Sequence, residues 1–145
     1  MQRVLSASVS IDGKVVSRIG KGELVLVGFT QGDDESIVDK VMTKILKLRI
    51  FEDEKGLTNL SINDVGGNIL AVSQFTLYAD VSKGNRPSFV KAMGYDESIR
   101  LYNYFVNRLT CLVPDAQFGI FGADMKVSLV NDGPFTLVID SEDLK

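Results

Sequence analysis

The chain contains no histidine and no tryptophan, and only one cysteine among its 145 residues. Without histidine, the Ser-His-Asp and Cys-His arrangements that activate side-chain nucleophiles are excluded, and the commonest metal ligand is missing. One cysteine and no histidine also rule out a zinc site of the usual kind. An enzyme of this composition must use hydroxyls, carboxylates, Lys or Arg, backbone dipoles, or a group on its own substrate. We therefore expect no metal and no cofactor.

The single cysteine, Cys111, cannot form an intrachain disulfide, and its apolar helical surroundings predict a buried structural thiol. Long hydrophobic runs are also missing. The longest, Leu24–Phe29, suits a buried strand and is far shorter than the roughly 20 residues that span a bilayer. The first residues, Met1–Val4, lack the apolar region and cleavage site of a signal peptide. These absences predict a cytoplasmic protein that does not bind membranes.

Length and charge limit the organisation of the chain. Its 145 residues fit one domain, residues 1–145, because domains cluster near about 100–150 residues. The net charge of −3 argues against nucleic-acid binding by the whole surface, but it leaves room for a local basic patch.

Two segments carry apolar residues at helical spacing. The first runs from about Glu35 to Leu48 and follows N-capping and acidic residues at 32–36. The second is predicted to be capped by Asp96-Glu97-Ser98 and to end before Pro114. A further helical turn is compatible with Ser88–Met93.

The remaining apolar runs alternate or are short, as in strands, and turn residues separate many of them. About seven or eight strands result: Val4–Ile11, Val15–Ile19, Leu24–Phe29, Arg49–Glu52, Ile69–Phe75, Gln117–Ile120, Met125–Val130 and Phe135–Asp140. The pattern predicts an α+β fold, a single domain with a curved, largely antiparallel, barrel-like sheet and two main helices.

The stretch Val130–Thr136 joins the last two predicted strands. It contains Asn-Asp-Gly-Pro, in which Asn and Asp bond their own backbone, Gly accepts a positive φ, and Pro fixes φ. From local chemistry alone, we interpret this stretch as a hairpin turn.

Three other stretches have the chemistry of a binding site. Ser73-Gln74-Phe75-Thr76 places two hydroxyls and an amide at the end of an apolar strand, although a loop with satisfied polar groups is the simpler interpretation. Lys83–Phe89 and the following Lys91 hold three cations and no acid, which suits either a solvated loop or a phosphate-contacting edge. Phe121–Met125 reads as a turn followed by a core methionine.

Taken together, the chain resembles the D-aminoacyl-tRNA deacylase family. The matching segments follow the same order over almost the whole length: Gln2-Arg3-Val4, Ile19-Gly20-Lys21-Gly22, Leu48-Arg49-Ile50-Phe51, Asp64-Val65-Gly66-Gly67, Ser73–Tyr78, Lys83–Phe89, Phe121–Met125 and Leu129–Thr136. The resemblance implies the deacylase-like fold and the hydrolysis of the ester between a D-amino acid and the 3′-terminal adenosine of tRNA. Glycine mischarged on tRNA, notably alanine tRNA, is the other implied substrate.

The resemblance also implies a homodimer in which Gly133-Pro134 of each subunit enters the active site of the other. The Gly-Pro bond is expected to be cis. Its backbone carbonyls would face the α-carbon and amino group of the substrate and leave no room for an L side chain. Arg3 is expected to brace this loop.

The opposite wall of the implied site is Ser73, Gln74, Phe75 and Thr76, with backbone N–H groups near Phe75 and Thr76 polarising the ester carbonyl. Phe121 and Met125 would line the adenine pocket, and Lys83 and Arg86 would contact the RNA. The family is thought to rely on the 2′-hydroxyl of the terminal ribose, which accords with the absence of histidine. Thr76 cannot be an N-terminal nucleophile and has no histidine to activate it, so we favour a binding and positioning role for it.

A non-catalytic RNA- or DNA-binding protein on the same scaffold is the alternative. A metal- or thiol-dependent hydrolase is disfavoured because the ligands for such a site are absent.

Overall fold

The computed structural model describes residues 1–145. Its two helices are α1, Glu35–Lys47, and α2, Tyr95–Leu112, and single 3-10 turns cover Phe75–Tyr78 and Ser141–Asp143. Its strands are β1 Gln2–Ile11, β2 Lys14–Ile19, β3 Gly22–Val27, β4 Phe51–Glu52, β5 Thr58–Leu60, β6 Asn68–Ser73, β7 Gln117–Phe118 and β8 Lys126–Thr136. Neither helix combines the length and apolar character needed to cross a membrane.

Helix α1 forms as its sequence predicts. The Asp34 side chain accepts a hydrogen bond from the Ile37 N–H at 3.0 Å and caps the first turn. Residues at helical spacing then bury one face of the helix: Val38, Met42, Ile45 and Leu46. This apolar face fixes the helix on the sheet.

Helix α2 differs from the prediction in two details. Its N-cap is Gly94, without a side-chain cap, so the predicted caps at 96–98 lie inside the first turn instead. Cys111 is exposed, which corrects the prediction of a buried thiol. Since Leu109 belongs to the buried face, Cys111 lies two residues further, on the other side of the helix.

Strand β1 organises the antiparallel half of the main sheet. It pairs with β2 through the Asp12-Gly13 turn, where both residues have positive φ, and its first residues pair with β3. Its other edge pairs along most of its length with β8. These antiparallel pairs accord with the predicted sheet.

The second half of the main sheet is parallel. Strand β6 pairs with β3, and β7 with β6, both in parallel. Each parallel pair requires a long crossover, and α1 and α2 lie in these two crossovers. Contacts of β2 with β6 and β7 curl the sheet towards closure, so the α+β, barrel-like architecture with two helices is confirmed.

Two cores lie on the two faces of this sheet. A cluster of 17 buried residues fills the space between the sheet and the helices. A smaller cluster of 7 buried residues, from β1, β2, β3 and β6, fills the concave side. Because β3 and β6 contribute to both clusters, they are buried on both faces, as the apolar run Leu24–Phe29 predicted.

Several predicted strand boundaries are wrong: β4 begins at Phe51 and not at Arg49, β7 ends at Phe118 and not at Ile120, and β8 ends at Thr136 and not at Asp140. Strand β6 ends at Ser73, and Gln74 leads into the 3-10 turn instead of extending the strand to Phe75. Ser88–Met93 forms no helix, but it contains a single turn, in which the Ala92 N–H donates to the Phe89 carbonyl at 3.0 Å. Two isolated bridges, Asp80 with Ser88 and Thr30 with Ala92, pair residues beside this turn.

The stretch Val130–Thr136 is not a hairpin turn, which corrects the prediction from local chemistry. It lies within one strand, β8, and the chain continues along β1 in the same direction. The register jumps so that Val4 faces Asn131 whereas Gln2 faces Thr136. The residues between form a bulge, Asp132–Phe135, which the Asn131 side chain closes by accepting from the Phe135 N–H at 2.8 Å.

Candidate functional site

A cavity of about 620 Å³ opens where β3 and β6 end and α2 begins. This volume falls within the range of about 300–1,000 Å³ that is usual for ligand pockets. The cavity is mostly apolar, with polar groups from the β6 end and from the loop before β8. Among the predicted site residues, it brings together Ser73, Gln74, Phe75, Phe121 and Met125.

The end of β6 presents free backbone donors. The Gln74 N–H bonds to the Val27 carbonyl at 2.7 Å, and the next bond of the turn runs from the Leu77 N–H to the Gln74 carbonyl. The N–H groups of Phe75 and Thr76 lie at the start of the 3-10 turn and donate to no backbone acceptor, as expected for the first residues of a helical turn. These two N–H groups can bind a carbonyl oxygen or an anion.

The Thr76 hydroxyl has a neighbour that cannot activate it. The Gln74 side-chain amide donates to Thr76 Oγ1 at 2.5 Å. An amide is not a base, so this contact orients the hydroxyl and does not remove its proton. Among the predicted wall residues, Thr76 is the one that does not line the cavity itself.

Gly28 permits a close approach of β3 and the β6 end. A Cβ atom at this position would lie 2.8 Å from the Gln74 carbonyl oxygen and 3.2 Å from Leu77 Cβ. Any side chain there must displace the segment that carries the two free N–H groups.

The far wall of the cavity is aromatic and sulfur-rich. Phe121 packs on the buried Tyr102 with ring centroids 5.5 Å apart, and Met125 Sδ fills the space beside Gly119, where a Cβ would lie 2.5 Å from it. Burial raises the pKa of Tyr102 to about 12, so this ring is a neutral packing surface. Such a wall suits the flat face of an aromatic ring.

The basic loop lies beside the same strand end. Asp80 and Ser88 exchange two backbone hydrogen bonds of 2.7 and 2.9 Å, which close the loop between them. The rings of Phe75 and Phe89 meet edge to face at 5.1 Å. Lys83 and Arg86 are exposed on this loop and do not line the cavity.

Gly133 and Pro134 lie elsewhere on the chain. Their peptide bond is cis, both residues are exposed, and neither lines the cavity. Arg3 holds the bulge: its Nε donates to the Asp132 carbonyl at 3.0 Å, and its guanidinium carbon lies 4.7 Å from the centre of the Phe135 ring.

Arg3 also ties the bulge to a second segment. It is 8% exposed, and its Nη1 donates to the Ile50 carbonyl at 2.7 Å. The family resemblance implied that Arg3 braces the Gly-Pro loop, and Arg3 does contact Asp132, the residue before Gly133. The guanidinium therefore links β1, β8 and the residue that precedes β4.

Several residues that line the cavity were not predicted as site residues, among them Phe29, Met93, Tyr95 and Ser98. Met93 and Tyr95 flank the Gly94 cap of α2. Their role depends on where the helix begins relative to β6, which is a tertiary feature. A visible signal was the aromatic Tyr95 next to a glycine before the helix.

Comparison with known proteins places these observations in a family. The model of the D-Tyr-tRNA(Tyr) deacylase family matches residues 1–140. The D-aminoacyl-tRNA deacylase of Lactobacillus acidophilus is 58% identical over 140 residues, covering 97% of each chain. That of Clostridium acetobutylicum is 51% identical over 142 residues, covering 98% of this chain and 95% of its own.

Solved structures agree on the fold. A protein described as c-Myc DNA Unwinding Element Binding Protein superposes with a TM-score of 0.89 at 42% identity, covering 94% of this chain and 93% of its own. A probable eukaryotic D-amino acid tRNA deacylase has a TM-score of 0.77 at 17% identity, covering 90% and 91%; at that identity, the likeness shows the fold alone.

The barrel-like fold and the donor-lined cavity, with these relatives, define a deacylase, a hydrolase of ester bonds. The chain belongs to the D-aminoacyl-tRNA deacylase family.

Proposed function

We propose that the protein hydrolyses the ester that joins a D-amino acid to the 3′-terminal adenosine of tRNA, and that it acts as a proofreading enzyme in the cytoplasm. Glycine mischarged on tRNA, notably alanine tRNA, is the second substrate. The observation that carries this proposal is the pair of free N–H groups at Phe75 and Thr76, beside a cavity that has no activated side-chain nucleophile.

The two N–H groups act on the ester carbonyl. As water adds to the carbonyl carbon, its oxygen becomes negatively charged, and backbone donors fixed at that place stabilise the charge. Removal of one such donor from an enzyme typically costs about 10²–10³ in rate. The bond to the ribose 3′-oxygen then breaks, and the products are tRNA and a free amino acid.

The proton chemistry comes from the RNA. The chain has no histidine, and the Gln74 amide beside Thr76 is not a base. The vicinal 2′-hydroxyl of the terminal ribose assists the attacking water and the leaving oxygen, so that Thr76 positions the substrate and does not attack it. Replacement of that 2′-hydroxyl by hydrogen is expected to remove most of the rate.

Chirality is read by the partner subunit of a homodimer. Gly133 and Pro134 are exposed on a braced bulge and lie outside the cavity of their own chain. In the dimer, they enter the partner's cavity, where their carbonyls face the α-carbon of the substrate and exclude an L side chain. A backbone gate of this kind ignores the identity of the D side chain.

The rest of the substrate is RNA. The aromatic and sulfur wall of Phe121 and Met125 takes the terminal adenine, because such a surface suits a flat ring. Lys83 and Arg86, exposed on the loop beside the cavity, contact phosphates near the 3′ end.

Hydrolysis of D-Tyr-tRNA and L-Tyr-tRNA tests the proposal. Release of labelled amino acid from the D-ester, with the L-ester left intact, is expected. Equal rates on both esters, or no hydrolysis of either, would overturn it.

A mixing experiment tests the dimer. The Gly133→Ala variant is expected to hydrolyse both esters, since its gate is distorted, and Gly28→Ala is expected to lose about 10²-fold in kcat/KM. In a large excess of Gly28→Ala, every Gly133→Ala chain should form a mixed dimer. The active cavity of the Gly133→Ala chain then receives the intact Gly133-Pro134 loop of the Gly28→Ala chain, and hydrolysis of the L-ester should be suppressed. The control is the double variant that carries both Gly28→Ala and Gly133→Ala. It has no intact loop to supply, so an excess of it should leave hydrolysis of the L-ester unchanged. L-ester hydrolysis that persists under excess Gly28→Ala would show that the gate acts within one chain.

Binding of nucleic acid without catalysis is the second candidate. It is favoured by the 42% identical protein whose name describes DNA binding. The net charge of −3 opposes tight duplex binding, and a salt titration decides. Several phosphate contacts would give a steep loss of affinity with salt, together with no hydrolysis.

A further inference from the structure

Tyr95 is an exposed aromatic residue at the mouth of the cavity. It is the first residue of α2, and the residue is 63% exposed although it lines the cavity wall. Tyr95 belongs to none of the motifs that the chain shares with its family. An exposed tyrosine is usually no more than a solvated surface residue, so the packing around the ring decides whether it does more.

The ring of Tyr95 is held in place. It meets Phe121 edge to face, with centroids 5.3 Å apart and planes at 69°. On another side, a Cβ at Gly122 would lie 3.3 Å from the Tyr95 hydroxyl. The ring therefore rests on the same turn that carries Phe121, and the absence of a side chain at Gly122 leaves room for it.

This ring ends a chain of aromatic contacts that begins in the core. Phe105 stacks on Tyr102 at 6.2 Å, Tyr102 contacts Phe121 at 5.5 Å, and Phe121 contacts Tyr95. The first two are buried, so they anchor the exposed pair. A ring anchored in this way loses little entropy when a ligand stacks on it.

We propose that Tyr95 is a specificity-determining residue that stacks on the base of the terminal nucleotide of the substrate and, with Phe121 and Met125, forms the base pocket. This role rests on the proposed function, because that function brings a 3′-terminal nucleotide into this cavity. A wide cavity with an exposed aromatic ring at its mouth selects a flat base and leaves the rest of the RNA outside.

The role predicts an effect on binding and not on the chemical step. The base is bound away from the ester carbonyl, so its stacking contact with Tyr95 is equally strong in the ground state and the transition state. Loss of this contact therefore raises KM and leaves kcat unchanged. Base-aromatic stacking lost by alanine substitution corresponds to roughly 5- to 150-fold in affinity. We expect a KM increase of about that size for Tyr95→Ala, and recovery in Tyr95→Phe, which keeps the ring.

The test is a double-mutant cycle in which one change is made in the protein and the other in the substrate. Wild type, Tyr95→Ala and Tyr95→Phe are compared on D-aminoacyl-tRNA that ends in adenosine and on the same tRNA with an abasic terminal nucleotide. With the abasic substrate, wild type and Tyr95→Ala should have the same KM. Leu57→Ala, which truncates a similarly exposed side chain on the β4–β5 hairpin, should match wild type on both substrates.

Three outcomes would overturn the role of Tyr95 while wild type remains active: an unchanged KM in Tyr95→Ala, an equal KM increase on both substrates, or a fall in kcat alone. An inactive wild type would instead overturn the proposed function, and with it the ligand on which this role rests.

Discussion

The Thr76 side chain is oriented by a neighbour that cannot act as a base. The Gln74 amide donates to its hydroxyl, while the Thr76 backbone N–H stays free to bind the substrate. A threonine side chain in this position helps to shape the turn, and we propose that the catalytic contribution of the residue lies in its backbone N–H group.

We therefore expect Thr76→Ala to lower kcat by only about tenfold, because the N–H donor is retained. Single-turnover hydrolysis of D-Tyr-tRNA measures this effect, and circular dichroism confirms that the variant is folded. A fall to the uncatalysed rate in a folded variant that still binds tRNA would identify Thr76 as a nucleophile.

Gly28 controls the position of the same donors from the neighbouring strand. Gly28→Ala places a Cβ 2.8 Å from the Gln74 carbonyl oxygen, and the Gln74–Thr76 segment must shift. Since a misplacement of about 1 Å can cost 10²-fold in rate, we expect kcat/KM to fall by about that factor.

The matched control is Gly20→Ala, where an added Cβ meets nothing within 4 Å. This variant should retain both kcat/KM and the melting temperature. If Gly28→Ala is as active as Gly20→Ala, the close approach of the two segments has no catalytic role.

At the scale of elements, one side chain of β1 fixes the shape of the β8 bulge. Arg3 donates to the carbonyls of Asp132 and Ile50 through two different nitrogens. Lysine has one nitrogen at the end of a flexible chain and cannot reproduce this fork. Hydrogen bonds to charged groups contribute roughly 1.5–3 kcal/mol each.

Arg3→Lys should therefore loosen the Gly133-Pro134 bulge and lower the ratio of D- to L-ester hydrolysis. Loss of one such hydrogen bond corresponds to a fall of about tenfold in this ratio. The ratio of kcat/KM values for D-Tyr-tRNA and L-Tyr-tRNA measures this. Arg18→Lys makes the same exchange at an exposed position of β2 and should leave the ratio unchanged. An unchanged ratio in Arg3→Lys would show that the bulge does not need the brace.

At the scale of the whole molecule, Glu23 is a buried carboxyl group that costs stability when it ionises. It is 0% exposed, and neither carboxylate oxygen has a hydrogen-bond partner. Burial raises the pKa of Glu23 from its usual 4.5 to about 8, although the nearby amino terminus opposes the shift. Burial lowers the pKa of the Met1 amine.

The free energy of unfolding depends on pH because the folded and unfolded states bind different numbers of protons. Between about pH 4.5 and 8, the unfolded chain ionises Glu23 while the folded protein keeps it protonated, so the free energy of unfolding falls as pH rises. Each unit of pKa corresponds to about 1.4 kcal/mol. The lowered pKa of the Met1 amine has the opposite sign, because the folded protein loses that proton first.

A comparison with Glu23→Gln isolates the carboxyl group. The variant should gain stability over wild type as pH rises from about 5 to 9, by several kcal/mol at the top of the range. Urea unfolding at each pH measures the difference. Glu52→Gln, at an exposed position, should show no such trend, and a pH-independent difference for Glu23→Gln would contradict the buried ionisation.

Local sequence was sufficient for the helices and most strands. Both ends of helix α1 lie within one residue of the prediction, because capping by Asp34 and the apolar spacing are local properties. Strand β6 was also predicted from its contiguous apolar run, although it ends at Ser73 and not at Phe75 as expected. The same local logic failed for Cys111, where a helical pattern alone does not say which face is buried.

What the chain determined by itself is therefore the set of elements, the absence of a histidine-based nucleophile, and the motifs by which it resembles its family. Only the tertiary structure decided that Val130–Thr136 is a bulge in a continuous strand, because its pairing partner is β1, more than a hundred residues away in sequence. The same holds for Tyr95, which joins Phe121 at the cavity only once α2 is packed against the sheet. Contacts between distant residues depend on packing that no local pattern encodes.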